Sequence, residues 1–191
     1  MGLKSALCSA AFVLSVAPAF AGGEQSLADK TLGTPITAEN IVDVLEIGRT
    51  VTNLTLSVDT QQWDVTADLL DGDIETTIGE PVNGAPVVKS EEEILTRWKS
   101  FYETAEKLVI HHVTSNNRIF FEDADTATVF SKGVIVLENT PAGKFADDGD
   151  TLRGYRWLDY EIGVHRTDAG WKVHKVNVTY LVQEFDSLPA N

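Results

Sequence analysis

The chain is 191 residues long, with 29 acidic against 15 basic side chains, a formal charge of −14 and one cysteine, Cys8. Phosphate binding needs clustered Lys and Arg, so this balance excludes a nucleic-acid partner and argues equally against an anionic membrane surface. A lone cysteine leaves no internal disulfide, and the acidic excess serves to keep the protein soluble.

The first residues read as an export signal. Lys4 precedes an apolar run from Ala6 to Ala17, Pro18 breaks it, and Ala19-Phe20-Ala21 has the small-x-small pattern of a cleavage site. The run is too short to span a bilayer as a helix, and no later stretch is long and apolar enough to insert. Cys8 lies near its start, whereas lipid attachment needs a cysteine at its end. Cleavage after Ala21 removes Lys4 and no acid, taking the charge from −14 to −15, and removes Cys8. The mature protein, expected in the periplasm or outside the cell, then has no thiolate nucleophile and no thiolate metal ligand. Its roughly 170 residues are expected to form one domain that buries roughly 70% of its unfolded surface. Residues 22–36 read as a loose leader, 37–185 as the domain and 186–191 as a tail.

Thr37 is a candidate N-cap for the first helix, with Ile36 and Ile41 spaced as a hydrophobic staple. Ile41, Val44, Leu45, Val51, Leu54 and Val58 follow helical spacing. Asp59 and Thr60 punctuate the chain. Trp63, Ala67 and Leu70 then predict a short second helix ending near Asp71-Gly72-Asp73, and Ile74 to Ile78 a short strand. Ser90 with Glu93 forms a capping box, and the helix it opens carries Ile94, Leu95, Trp98, Phe101 and Ala105 on one face.

Beyond it the chain turns to strand. Two β-rich runs within Leu108 to Glu138 flank the acidic break Glu122 to Asp125, the signal of a hairpin. An acidic loop, Asn139 to Asp150, follows; a second hairpin pairs Gly154 to Arg166 with Trp171 to Gln183 around Thr167 to Gly170. Helices early and strands late predict an α+β domain with an antiparallel sheet and helices covering one face. The first long strand carries His111 and His112, and neighbours on a strand point to opposite faces, so one imidazole faces inward.

Three local patterns give this order a family likeness. They are Val58-Asp59-Thr60-Gln61-Gln62-Trp63-Asp64, His112 to Asn116 with the acidic turn after Ile119-Phe120-Phe121, and Arg166-Thr167-Asp168-Ala169-Gly170-Trp171. Together they resemble the SnoaL-like branch of the nuclear transport factor two superfamily over about Thr37 to Tyr180. The resemblance implies three helices packed on a strongly curved, mostly antiparallel sheet, a cone-shaped, cystatin-like barrel. It further implies a small hydrophobic ligand, no cofactor and a homodimer formed through the exposed sheet face. In dehydratases and dehydrohalogenases of that family an aspartate ending the first helix orients a sheet histidine that acts as general base. The matching positions are Asp59 and His112, with His111 the fallback if the register shifts by one.

The logic holds without the family, because a carboxylate on one ring nitrogen fixes the tautomer in which the other accepts a proton. The implied activity is that of a lyase or isomerase; the alternative is a non-catalytic binding or association domain of the same fold. Asp59 is also a candidate N-cap of the second helix, and His112 a candidate core histidine. Val58 stands where those dehydratases place a tyrosine, and Asp73 to Gly79 contains none, so their carbonyl-polarising pair has no counterpart in these stretches.

Tyr160 is a candidate ligand contact, core residue or dimer-face residue, and at most one of Tyr160 and Trp157 lines the cone. Trp63 and Trp98 read as core, with Trp63 also a candidate for the pocket wall. Glu75 is the nearby carboxylate that an epoxide hydrolase, which activates water, would call on. His165 and His174 flank the second hairpin but form a weak metal signal, and Asp147 to Asp150 lacks the ligand pattern of a calcium loop.

Overall fold

A computed structural model of the chain describes residues 33–81, 83–104, 108–139 and 151–188. The export signal, most of the leader, the acidic loop and the end of the tail lie outside the described residues. Helix α1 spans Ile41–Asp59 and buries Ile47, Val51, Leu54 and Val58, which recur at i, i+4, i+7 and i+11 and form one stripe. Ile41 and Leu45 fall off that stripe and are exposed, as is Ile36, so no staple closes the N-terminus.

Nor does Thr37 cap the helix. Asn40 holds the N-cap position, and its Oδ1 accepts the Thr37 N–H at 2.8 Å while its Nδ2 donates to the Pro35 carbonyl. Thr37 belongs instead to the turn before the helix, where its hydroxyl accepts the Glu39 N–H.

Helix α2, Trp63–Leu69, follows after a single left-handed residue, Gln61 at φ 55°. Strand β1 runs from Leu70 to Thr76, so the predicted break at Asp71-Gly72-Asp73 lies inside it. Gly72 at φ 68° carries the chain through a register shift between Leu70 and Glu75, a bulge that glycine tolerates at low cost. Strand β2, Val87–Ser90, pairs antiparallel with β1 and leads into helix α3, Glu91–Thr104.

The capping box forms as expected. The Glu93 carboxylate accepts the Ser90 N–H at 2.8 Å, and the Ser90 hydroxyl accepts the Glu93 N–H at 3.3 Å. Phe101 is largely exposed and does not join the buried core side of α3; that place goes to Tyr102, four residues after Trp98 and eight after Ile94.

Four long strands complete the sheet: β3 (Leu108–Phe121), β4 (Thr126–Asn139), β5 (Thr151–Thr167) and β6 (Gly170–Leu188). The order is β2-β1-β6-β5-β4-β3, and every pairing is antiparallel except β1 with β6. Both predicted hairpins are present, the second turning on Gly170 at φ 102°.

Register shifts at Ser115/Arg118, Trp157/Leu158 and Gly163/Val164 mark bulges, which bend strands and increase their twist. The sheet therefore curls around its inner face. There Val129, Leu158, Ile162, Val164, Val173 and Val176 pack with Ile47, Val51 and Leu54 of α1 and Ile94 of α3. A smaller cluster, Val58, Tyr102, Ile110 and Leu137, closes the end where α1 meets β3.

Candidate functional site

The residue that ends α1 decides the character of the site. Three backbone bonds fold the chain back after Asp59: Thr60 N–H to Leu56 O, Gln61 N–H to Val58 O and Gln62 N–H to Ser57 O, at 3.0, 3.1 and 2.8 Å. The Thr66 hydroxyl, donating to the Ser57 hydroxyl at 2.9 Å, ties α2 to the same turn. Gln62 stands before α2, so Asp59 is not its cap.

The Asp59 carboxylate instead reaches the middle of β3. Its Oδ2 accepts the His112 backbone N–H at 2.7 Å, and its Oδ1 is hydrogen-bonded to His112 Nδ1. The Asp59 side chain is 9% exposed and that of His112 17%, so the pair is largely screened from water. A carboxylate on Nδ1 fixes the proton there and leaves Nε2 with its lone pair. The register resolves the two histidines: Ile110 and His112 face inward, and His111 is exposed on the other face.

His112 lines a cavity of about 950 Å³ between the inner sheet face, α1 and α3. That volume lies at the upper end of the range for small-molecule sites, about 300–1,000 Å³. Leu54, Val58, Ile110, Ile135, Leu137, Ile162, Val176 and Val178 supply apolar wall, and Trp98 and Phe101 contribute from α3.

Three tyrosines enter the same space: Tyr102 from α3, Tyr160 from β5 and Tyr180 from β6. Tyr160 is 5% exposed, and its ring lies over Gly133, where a Cβ would come within 2.6 Å of Cε2. Burial raises the Tyr160 phenol above its ordinary range, helped by Tyr180 and the Asp59 charge. Burial and then Asp59 raise Tyr102 in the same way. Both are therefore neutral donors at physiological pH. The Tyr102 hydroxyl is shielded from solvent and has no hydrogen-bond partner among the described residues.

The other sequence candidates fall outside the cavity. Trp63 stands edge-to-face against Tyr102, ring centres 5.5 Å apart, and packs on the smaller core cluster as support for the wall. Glu75 accepts Asn177 Nδ2 at 2.8 Å and pairs with Lys175 at 3.3 Å. Burial works to raise its carboxyl, yet the Asn177 bond and the Lys175 charge outweigh it and hold the group below its usual range. Committed to these partners and absent from the lining, Glu75 gives no support to water activation in the cavity.

Trp157 is on the outer face, opposite Tyr160, as strand parity requires. His165 and His174 stack with ring centres 5.1 Å apart, and Asp71 binds His165 Nε2. Among the described residues no three His, Cys, Asp or Glu side chains converge as metal ligands.

Tyr102, Tyr180 and Arg156 were missed as pocket residues from sequence. Tyr102 had a usable signal, the i+4 and i+8 spacing from Trp98 and Ile94. Arg156 had another, since it shares strand parity with Tyr160.

The model of the SnoaL-like domain matches residues 39–177, from the turn before α1 into β6. No curated protein matches the chain by sequence. Among solved structures the chain is similar to a putative scytalone dehydratase from Novosphingobium aromaticivorans DSM 12444, with a TM-score of 0.63, 16% identity and coverage of 81% of this chain and 95% of that one. It is also similar to Kfla4162 from Kribbella flavida, with a TM-score of 0.61, 19% identity and coverage of 78% and 95%. A third is a hexachlorocyclohexane dehydrochlorinase of type 3 from Novosphingobium barchaimii LL02, with a TM-score of 0.59, 19% identity and coverage of 78% and 92%. At such identities these likenesses speak for the fold, the curled sheet under three helices described above. With the family model spanning both the helix that carries Asp59 and the strand that carries His112, the chain belongs to the SnoaL-like domain family.

Proposed function

We propose that the protein is a lyase or isomerase acting on a small hydrophobic substrate, with Asp59 and His112 as its acid/base pair. The observation that carries this reading is the Asp59 carboxylate on His112 Nδ1, at the wall of a largely apolar cavity of about 950 Å³. In an elimination, His112 Nε2 takes a proton from carbon; the C–H electron pair forms the double bond as the leaving group departs with its own pair. The new imidazolium is stabilised by Asp59 and returns its proton to the leaving group. In an isomerisation it returns the proton to a different carbon. Tyr102 and Tyr160, held neutral, are the donors available to a carbonyl or leaving oxygen.

Export with cleavage after Ala21 is part of the same proposal, and so is homodimerisation. The mature N-terminus would be Gly22, which intact-mass measurement of the exported protein checks.

The test is a thermal-shift screen against small apolar carbonyl, hydroxyl and halogenated compounds, followed by turnover assays with wild type, His112→Ala and Asp59→Asn. Compounds that stabilise all three proteins are expected to be converted by the wild type, and about 10²- to 10⁴-fold more slowly by the variants, the usual worth of a positioned base. Bound compounds left unchanged by the wild type would transfer the protein to the non-catalytic, ligand-binding reading.

A further inference from the structure

Inward side chains of the sheet stand in rows across the strands, because cross-strand partners share a face. His112, Ile135, Arg156 and Gln183 make one row, running from β3 to β6. The next is Thr114, Gly133, Leu158 and Tyr180, and beyond it Ser131 pairs with Tyr160 and Tyr160 with Val178. Tyr160 thus starts two rows from His112, and Gly133 belongs to the row between them.

The φ angle of Gly133 is not in the left-handed region, so its backbone does not require a glycine. What it supplies is space. A Cβ there would lie 2.6 Å from Cε2 and 3.1 Å from Cδ2 of Tyr160, and 2.9 Å from Cδ1 of Leu158. Glycine inside a strand commonly marks such a close approach. Cε2 is the nearer of the two ring atoms, so the Tyr160 ring leaves its own row, crosses Gly133 and carries its hydroxyl toward the row of His112.

The surroundings of the phenol agree with that direction. Tyr160 is 5% exposed and lines the same cavity as His112. Burial first, then Tyr180, Asp59 and Tyr102 raise its pKa, and the Asp59 contribution sets the phenol within electrostatic reach of the acid/base pair. The lining also holds Glu80, Glu92 and Glu93, which as carboxylates accept hydrogen bonds and offer none to a ligand oxygen. Its arginines come from elsewhere: Arg97 on α3 donates to the Gly79 carbonyl at 3.2 Å, and the Arg156 guanidinium carbon lies 5.7 Å from the centre of the Tyr180 ring.

Resting on the acid/base reading above, we infer that Gly133 is a positioning residue of the cavity: the space it leaves lays Tyr160 along β4 and fixes the Tyr160 hydroxyl as hydrogen-bond donor to a ligand oxygen beside His112. The donor is aimed by packed strands, and a side chain in place of Gly133 redirects it.

The test measures binding of 2-acetylnaphthalene and its hydrocarbon counterpart 2-ethylnaphthalene, by fluorescence, to wild type, Gly133→Ala, Tyr160→Phe and the double variant. The readout is the ratio of ketone to hydrocarbon affinity, which cancels changes of cavity size common to both. That ratio is expected to fall about 2- to 10-fold in Tyr160→Phe, the worth of one net hydrogen bond. Gly133→Ala is expected to lower it similarly, and the double variant no further than Tyr160→Phe alone. The infrared carbonyl stretch of the bound ketone is expected at lower frequency in the wild type than in either single variant.

A ratio and a frequency unchanged by Tyr160→Phe overturn the donor. A ratio unchanged by Gly133→Ala, or lowered again when Gly133→Ala is added to Tyr160→Phe, overturns the positioning role. Should Gly133→Ala fail to fold, Leu158→Ala in the same chain removes the second contact, and that pair is compared with Leu158→Ala alone under the same outcomes. Failure of the acid/base reading looks different, because His112→Ala would then convert substrate as the wild type does, whatever the ketone ratio.

Discussion

At the scale of single residues, the site depends on where polar groups are left partnered or unpartnered. Asp59 uses both oxygens on one residue, fixing the backbone of His112 with one and its ring with the other. Tyr102 is the opposite case, a buried hydroxyl without a partner among the described residues. Leaving such a group unsatisfied costs roughly 1–3 kcal/mol, so Tyr102→Phe is expected to hold or raise the denaturation midpoint. If the hydroxyl donates to the substrate, the same change lowers kcat about 10-fold or more; unchanged turnover would remove Tyr102 from the chemistry.

His174 gives a pH prediction of definite sign. Burial, the stacked His165 and Lys175 lower its pKa from 6.5, against the smaller raising effects of Glu122 and Glu75. Between the lowered native value and 6.5 the unfolded chain holds the proton and the folded chain does not, so stability rises with pH across that window and is lost as pH falls below about 6.5. Urea midpoints at pH 7.5 and 5.5 should therefore differ less in His174→Gln than in the wild type.

The Asp59–His112 contact was legible through the family resemblance, which matched both positions; strand parity alone required one inward histidine and left His111 and His112 open. Tyr102 was not, because Phe101 beside it is as apolar, and only the rotation of α3 on the sheet decides which of the two is buried.

At the scale of elements, that rotation begins at the cap. Ser90 and Glu93 satisfy each other's amides at the start of α3, and the next turn carries Ile94 into the core. Ser90→Ala leaves the Glu93 N–H without its acceptor and is expected to cost about 1 kcal/mol, read as a lower chemical-denaturation midpoint at unchanged slope. Because α3 supplies Trp98 and Tyr102 to the cavity wall, the same variant should also loosen ligand binding; a midpoint equal to wild type would show that the helix is held by packing alone.

The two helix starts differ in legibility for a physical reason. The capping box is a reciprocal pattern written in two residues, whereas at the start of α1 Asn40 binds backward, to the Thr37 N–H and the Pro35 carbonyl, and makes no side-chain cap bond to the helix, so no such pattern marks it in the sequence. Likewise the bulge at Gly72 reads in sequence as a turn, since aspartate and glycine serve both; the parallel partner β6, about a hundred residues away, makes it a strand.

At the scale of the whole molecule, the period of two along each strand gives the sheet two unlike faces. The inward row is His112, Ile135, Arg156 and Gln183. One residue along, Val113 pairs with Val134, Val134 with Trp157 and Trp157 with Val182, an apolar row on the outer face. Val113 is 57% exposed, Trp157 38% and Val182 48%, with Tyr155 packed against Trp157 at 5.8 Å between ring centres.

Contiguous apolar surface of this kind is what the proposed homodimer would bury. A face that meets its own copy is self-complementary about a two-fold axis, so a single substitution enters the interface twice. Trp157→Glu therefore places two carboxylates into the proposed homodimer at once. Sedimentation velocity is expected to give a dimer for the mature wild type and a monomer for Trp157→Glu, with His111→Ala, a neighbour on the same outer face, weakening the dimer by a smaller amount. The inner row is untouched by these changes, and monomeric Trp157→Glu should keep its affinity for cavity ligands. A wild type that sediments as a monomer at micromolar concentration would remove the homodimer and leave the outer row open to a different protein partner.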